Sequence, residues 1–388
     1  MTEIIDKNIV LIPYLDGAAL AESAISFPDT EKGMLFYRGY PINILAEKAG
    51  FEEVAYLILF GKLPTEKSLK YFKEQMREEQ YLLNRTISAI RSLGPEISLF
   101  NMAAAGVLSL AKYDNNLEDA TLDANYKRAL LLISKFPIIA ANAVLAKTGA
   151  GQQFISSKLS PLSNFIDLLN IRMDEKMERA FEVGQILCCE HEMNASTLAV
   201  RTAASAGSNM YLAVSAGLSV FAGIYHGGAS QFIVKMLKLI GNPDNIQRWA
   251  DQKLAATDKK DRIIMGFGHR VYKGQGSDPR TAIFKEWAMN LSKNRRDRIF
   301  FDIAEKLEKY IGEKKDLCAN VDFYFALVNH FIGFRSEISP LIYAMARIAG
   351  WTAHYIEQFH DPKGRILRPR AIYTGPENQE WIDLENRE

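Results

Sequence analysis

The chain has little cysteine. Cys188, Cys189 and Cys318 are the only three. Two are adjacent and none forms a CxxC pair, which argues against a disulfide framework and fits a reducing compartment. Charge of one sign is also missing. Lys and Arg number 47 against 46 Asp and Glu, a formal net charge of +1, so nothing suggests a nucleic-acid scaffold or a polybasic membrane binder. The N-terminus, Met1-Thr2-Glu3-Ile4-Ile5-Asp6, has early acidic residues and no long apolar core. It reads as neither a secretory signal nor an Arg-rich transit peptide, and a cytoplasmic location is expected. Long apolar runs are absent too. Thr202 to Val234 holds no Lys, Arg, Asp or Glu, but Ser, Asn, Gly and His226 interrupt it. A membrane span needs about 18 or more consecutive apolar residues; closely packed internal helices are expected here instead.

The 388 residues allow two domains, and 48% apolar with 24% charged residues is an ordinary globular balance. Repeats, low-complexity tracts and alternating apolar strands are scarce or missing. Short strands are expected only near Ile9-Val10-Leu11-Ile12 and Met34-Leu35-Phe36-Tyr37. The rest reads as helix. Phe51 to Lys62 carries Val54, Leu57 and Ile58 on one stripe, with Gly61 as a stop and Pro64 beyond. Helical patterning also covers Asp174 to Thr202, Tyr211 to Ala222, Ser230 to Ile240, Arg280 to Leu291 and Arg298 to Ile311. Another runs from Pro340 to Gln358, with Ser339 expected as N-cap and Pro340 at the first helical position. Gly/Pro/Asn/Asp clusters at 223–228, 241–244, 266–279 and 361–364 mark lobe boundaries.

Several familiar site patterns are lacking. Glu190-His191-Glu192-Met193-Asn194 is not HExxH, because position 195 is Ala195, so no zinc site is expected. There is no GxSxG, and Gly266-Phe267-Gly268-His269-Arg270-Val271-Tyr272-Lys273 fits neither a Walker A nor a Rossmann spacing. Its alternating glycines beside His, Arg and Lys suit either a loop around an anion, with backbone amides as donors, or a basic surface loop. His226 precedes two glycines and a helical stretch. A helix N-terminus disfavours its protonation, and a neutral imidazole can donate to an enolate oxygen. It equally suits a loop-to-helix filler. Asn320 can cap a helix with Asp322 in its first turn, where the dipole favours the carboxylate a general base needs, although ordinary capping explains it as well. Arg347 lies in a helix apolar nearly all round, so it requires an anion, either an internal Asp or Glu or a ligand. Tyr343 and Trp351 share its face.

Together these stretches resemble the citrate synthase family over nearly the whole chain. The motifs are EHEMNAST (190–197), HGGA (226–229), GFGHRVYK (266–273), DPR (278–280), NVDFY (320–324), ARIAGW (346–351) and RPR (368–370). The resemblance implies an all-α, two-domain homodimer. Residues 1–227 and 334–388 would form the large domain and 228–333 an inserted small domain, with the active site in the cleft. It implies condensation of an acyl-CoA such as acetyl-CoA with oxaloacetate, without metal or other cofactor. Asp322 matches the base, His226 the residue that stabilises the enol, and His269 the residue that polarises the ketone. His191, Arg280, Arg347 and Arg368 match oxaloacetate contacts, with Arg368 reaching in from the partner subunit. Ile264, Met265, Gly266, Phe267, Gly268 and Lys273 fall where the family holds coenzyme A, and Lys314 and Lys315 are further phosphate candidates. No extra N-terminal domain of the larger NADH-regulated hexamers is seen, so a simple dimer is expected. Three departures stand out: a longer loop at Gly274-Gln275-Gly276-Ser277, Phe325-Ala326 in place of Ser-Gly, and Ile224-Tyr225 in place of Pro-Leu. They keep 2-methylcitrate synthase, which uses propionyl-CoA, as a competing implication. A non-catalytic paralogue would be expected to have lost His226, His269 or Asp322, and all three are present.

Overall fold

The computed structural model describes residues 11–387 apart from 16, 259 and 273–277. Lys273, the 274–277 loop, Ile9 and Val10 therefore lie outside the described residues. Leu11 and Ile12 are not in a strand. The sixteen described helices are α1 (Ile42–Lys48), α2 (Phe51–Phe60), α3 (Glu66–Glu79), α4 (Asn84–Arg91), α5 (Leu99–Ser109), α6 (Leu122–Lys147), α7 (Pro161–Leu168), α8 (Glu175–Cys188), α9 (Ala195–Ser205), α10 (Met210–Phe221), α11 (Ser230–Ile240), α12 (Ile246–Leu254), α13 (Pro279–Ser292), α14 (Ile299–Lys315), α15 (Val321–Ile332) and α16 (Ser339–Phe359). A small antiparallel sheet, β1 (Ser26–Asp29), β2 (Met34–Tyr37) and β3 (Tyr40–Pro41), precedes them. Its second hairpin turns through Arg38 (φ 47°) and Gly39 (φ 85°), the double positive φ of a tight two-residue loop.

The core is built around α16, where all residues except Glu357 and Phe359 are buried. It packs on α2, α6, α8, α9 and α10. By length and composition α6 could cross a membrane, but 83% of its most apolar window is buried inside the protein. Such burial marks a core helix wrapped by its neighbours. Helices α11 to α15 pack largely on one another: α13 on α15, α11 on α15 and α14, and α12 on α14.

Two sequence expectations shift locally. The pattern from Asp174 to Thr202 is broken by residues 189–194 between α8 and α9, where Glu192 has φ 51°. Apolar periodicity cannot show that break, because Cys188, Cys189, Glu190 and His191 are all buried as if the helix continued. Ser339 is the first helical residue of α16 rather than its cap, because a 3-10 turn (Ser336–Ile338) already leads into the helix.

Candidate active site

The connections between helices bring the chemistry-bearing side chains together. Asn194 opens α9 by accepting from the Thr197 amide at 3.1 Å, the capping bond that a helix start requires. Two residues on, Ser196 Oγ lies 2.8 Å from His226 Nε2 and 2.7 Å from Asn194 Oδ1, and accepts from Trp351 Nε1 at 3.3 Å. Ser196 has one proton and donates it to Asn194 Oδ1, so His226 Nε2–H donates to the serine oxygen. The HGGA glycines are sterically required. A Cβ at Gly227 would collide with the Phe221 ring, and one at Gly228 would stand 2.6 Å from Ala222 O. His226 precedes a short 3-10 turn rather than α11 itself. Burial, and then the charge of Arg347, push it down to about 4. Desolvation and a nearby cation thus both favour the neutral ring.

The 266–269 loop is stapled to the start of α15. Gly268 N donates to Cys318 O at 2.9 Å, Asn320 N to Gly266 O at 2.8 Å, and Asn320 Nδ2 to Gly268 O at 3.0 Å. Gly266 and Gly268 take φ 87° and 80°, and a Cβ at Gly266 would stand 2.6 Å from the Phe323 ring. The amides of Phe267 and Gly268, expected as anion donors, are spent within the chain. What the staple achieves is to couple His269 to Asp322. Val271 N and Tyr272 N donate to His269 Nδ1 at 3.0 and 3.3 Å. The neutral ring therefore carries its proton on Nε2. Burial and the charge of Arg280 outweigh Asp278 and bring it to about 4.

Asn320 caps α15 as expected, accepting from Asp322 N at 3.1 Å. The half-buried Asp322 has its Oδ1 sealed from solvent without a hydrogen-bond partner. Burial raises it to about 7; Arg280 and Arg347 pull the other way. The helix terminus does not hold this carboxyl ionised, as its first-turn position had suggested, because the cost of desolvation is larger.

His191 and His269 stack edge-on with ring centroids 5.3 Å apart, and His191 Nε2 lies 3.3 Å from Tyr272 Oη. Tyr37 Oη ties the end of α8 to the loop that carries His191, donating to Leu187 O at 3.0 Å and to Glu190 O at 2.8 Å. Arg280, 2% exposed, is bidentate on Asp278, with Nε at 2.9 Å and Nη2 at 2.6 Å. Arg347, equally buried, donates Nε to Cys188 O at 2.9 Å and Nη2 to Tyr343 Oη at 3.2 Å. No carboxylate among the described residues forms a salt bridge with it, so the internal ion pair that the sequence left open is not made. The ligand atoms of His191, His269 and Asp278 lie within 4.8 Å of one another, a spacing that would suit a cation. Both Asp278 oxygens, however, face Arg280, and Arg347 adds a second guanidinium. The local field favours an anion.

Other expected residues stand apart. Arg368 is exposed on the extended stretch after α16, and no described hydrogen bond joins it to the cleft. Ile264 and Gly266 are buried, with Met265, Phe267 and Gly268 partly so. Lys314 and Lys315 are exposed at the end of α14, and Lys314 is already paired with Asp251. Sequence reading assigned no role to Asp278, Ser196 or Tyr343. The first two sit inside quoted motifs, but their importance lies in partners distant along the chain.

The family profile described as citrate synthase, C-terminal domain, matches residues 14–370. A citrate synthase of Saccharolobus solfataricus is 35% identical over 96% of this chain and 98% of its own length. Citrate synthase 2 of Bacillus subtilis is 33% identical over the same shares. Among solved structures, the Thermoplasma acidophilum citrate synthase in ternary complex with carboxymethyl coenzyme A and oxaloacetate superposes with TM-score 0.90 at 30% identity, covering 96% of this chain and 98% of that one. The Thermotoga maritima citrate synthase gives TM-score 0.85 at 33% identity over the same shares. The all-α fold and these matches across nearly its whole length place the chain in the citrate synthase family of enzymes.

Proposed function

We propose that the enzyme condenses acetyl-CoA with oxaloacetate and hydrolyses the resulting thioester to citrate and CoA. The observation that carries this is Asp322, a carboxyl with an unpartnered, sealed oxygen that burial raises to about 7 within the field of Arg280 and Arg347. A general base works best with a pKa close to the operating pH. Asp322 takes a proton from the acyl methyl group. His226 donates Nδ1–H to the thioester oxygen once the Ser196 hydroxyl turns from Asn194 Oδ1 to Nε2. His269 donates Nε2–H to the ketone of oxaloacetate. Both donors act where negative charge develops. Arg347, lacking an internal carboxylate, takes a substrate carboxylate, with Arg280 and His191 beside it. These side chains supply the proton transfer and the addition, and water then cleaves the thioester to citrate and free CoA, so no metal or redox cofactor is called for.

Residues 228–333 form the small domain in this reading, and the chain acts as a cytoplasmic homodimer. Arg280 is already neutralised by Asp278, so a dianion needs a further cation, and the exposed Arg368 supplies it from the partner subunit. Phe325 supports the smaller acyl group. It lies one turn after Asp322, is 1% exposed, and packs on Tyr343 and Phe284, filling space beside the base. The test is thiol release with oxaloacetate and either acetyl-CoA or propionyl-CoA. A higher kcat/KM for acetyl-CoA is expected. A preference for propionyl-CoA would overturn the acetyl assignment, and turnover of neither would overturn the reaction.

A further inference from the structure

We propose that Tyr343 is a positioning residue for oxaloacetate, its phenolic oxygen bridging Arg280 and Arg347 and fixing the separation of the two guanidinium groups. The proposal rests on the oxaloacetate reading of these arginines. Tyr343 Oη accepts from Arg280 Nη1 at 3.1 Å and from Arg347 Nη2 at 3.2 Å. A phenolic oxygen has two lone pairs, and both are used. Its lone pairs are thus committed, and the two guanidinium ends stand no farther apart than the two bonds together.

The ring is fixed as firmly as the oxygen. Its centroid lies 5.2 Å from that of Phe221 on α10 and 5.2 Å from that of Phe325 on α15. Arg347 Cζ sits 5.2 Å from the same ring, an attractive cation–π placement. Each arginine has a competing tether, the Asp278 carboxylate for Arg280 and Cys188 O for Arg347. A neutral acceptor between them holds both toward one point. It adds no negative charge that would compete with the incoming carboxylates. Carboxylate recognition by arginine depends on direction, so loss of the bridge acts on substrate affinity.

The test is Tyr343→Phe in the full enzyme, which keeps the ring and removes only the bridging oxygen. Loss of a hydrogen bond to a charged group should raise the KM and Kd for oxaloacetate about tenfold. The KM for acyl-CoA should be unchanged, and kcat at saturation should stay within about threefold. Unchanged oxaloacetate affinity in the folded variant, or a fall in kcat alone, would overturn the proposal. If Tyr343→Phe does not fold, 4-fluorophenylalanine at 343 nearly preserves size but replaces the oxygen with a poor acceptor that cannot ionise. It should raise the oxaloacetate KM by a smaller factor, and an unchanged KM overturns the proposal. Arg347→Leu separates the two levels of inference. If it leaves oxaloacetate affinity intact, the substrate reading itself fails. If it abolishes binding while Tyr343→Phe changes nothing, only the bridge fails.

Discussion

Replacing Asp322 with Asn should make the protein more stable and nearly inactive, with the gain growing as pH rises. The Asp322 carboxyl titrates at 3.8 in the unfolded reference and at about 7 in the folded state. Between those values the folded state keeps a proton that the unfolded chain has released. Raising the pH through that window therefore removes stability, and above about 7 the cost stays constant. One pKa unit corresponds to about 1.4 kcal/mol, so the full cost of carrying the ionised base is at most about 4 kcal/mol. Between pH 5 and pH 8 the linkage relation gives a change of roughly 2–3 kcal/mol. Asn has almost the same shape and no charge, so the variant lacks this term. The bond from Asp322 N to Asn320 Oδ1 is a backbone bond and survives. The assay is denaturant unfolding of wild type and variant at pH 5, 6, 7 and 8, at one protein concentration because subunit association also stabilises. Other titrating groups cancel in the difference. A stability difference that is flat with pH, or largest at pH 5, would refute the idea that desolvation of Asp322 sets its pKa. Turnover of the same variant should fall by roughly 10²–10⁴, the usual effect of losing a general base.

The pH dependence of rate should show the same group. With His226 and His269 neutral down to about pH 4, kcat/KM for the acyl-CoA should fall tenfold per unit below about pH 7, and Asp322→Asn should lose that limb. Gly350→Ala places a methyl against Glu190 Oε2 and Cys189 O; forcing that loop outward should cost about 1–3 kcal/mol in denaturant unfolding and lower oxaloacetate affinity, because His191 is the next residue. Mixed Asp322→Asn and Arg368→Leu subunits should regain up to half of wild-type activity per heterodimer. No recovery after exchange verified by native mass spectrometry would place Arg368 outside the partner's site.

Much of the fold was legible because it is local. The α2 stripe of Val54, Leu57 and Ile58 ends at Gly61, which takes φ 76° as a helix stop should. The span of α11 was read to the residue. Asn320 before Asp322 announced a capped helix, and the bond is there. A cap or a stripe depends on residues within one or two turns, which a single sequence displays. The interruption at 189–194 and the extra 3-10 turn before α16 escaped, since a buried loop has the same apolar composition as a buried helix.

The sequence alone determined which residue types were available: two glycine-flanked histidines, a first-turn aspartate, and an arginine in an apolar helix that had to find an anion. Only the tertiary structure decided their chemical states. Burial from helices far along the chain raises Asp322 to about 7 and lowers His226 to about 4, and in each case desolvation is the largest cause. The tertiary fold also decided the pairing. Asp278, two residues away, claims Arg280, while among the described residues Arg347 donates to a carbonyl and to the shared hydroxyl of Tyr343. Desolvation and through-space charge depend on what surrounds a group in three dimensions, and no spacing along the chain encodes that directly.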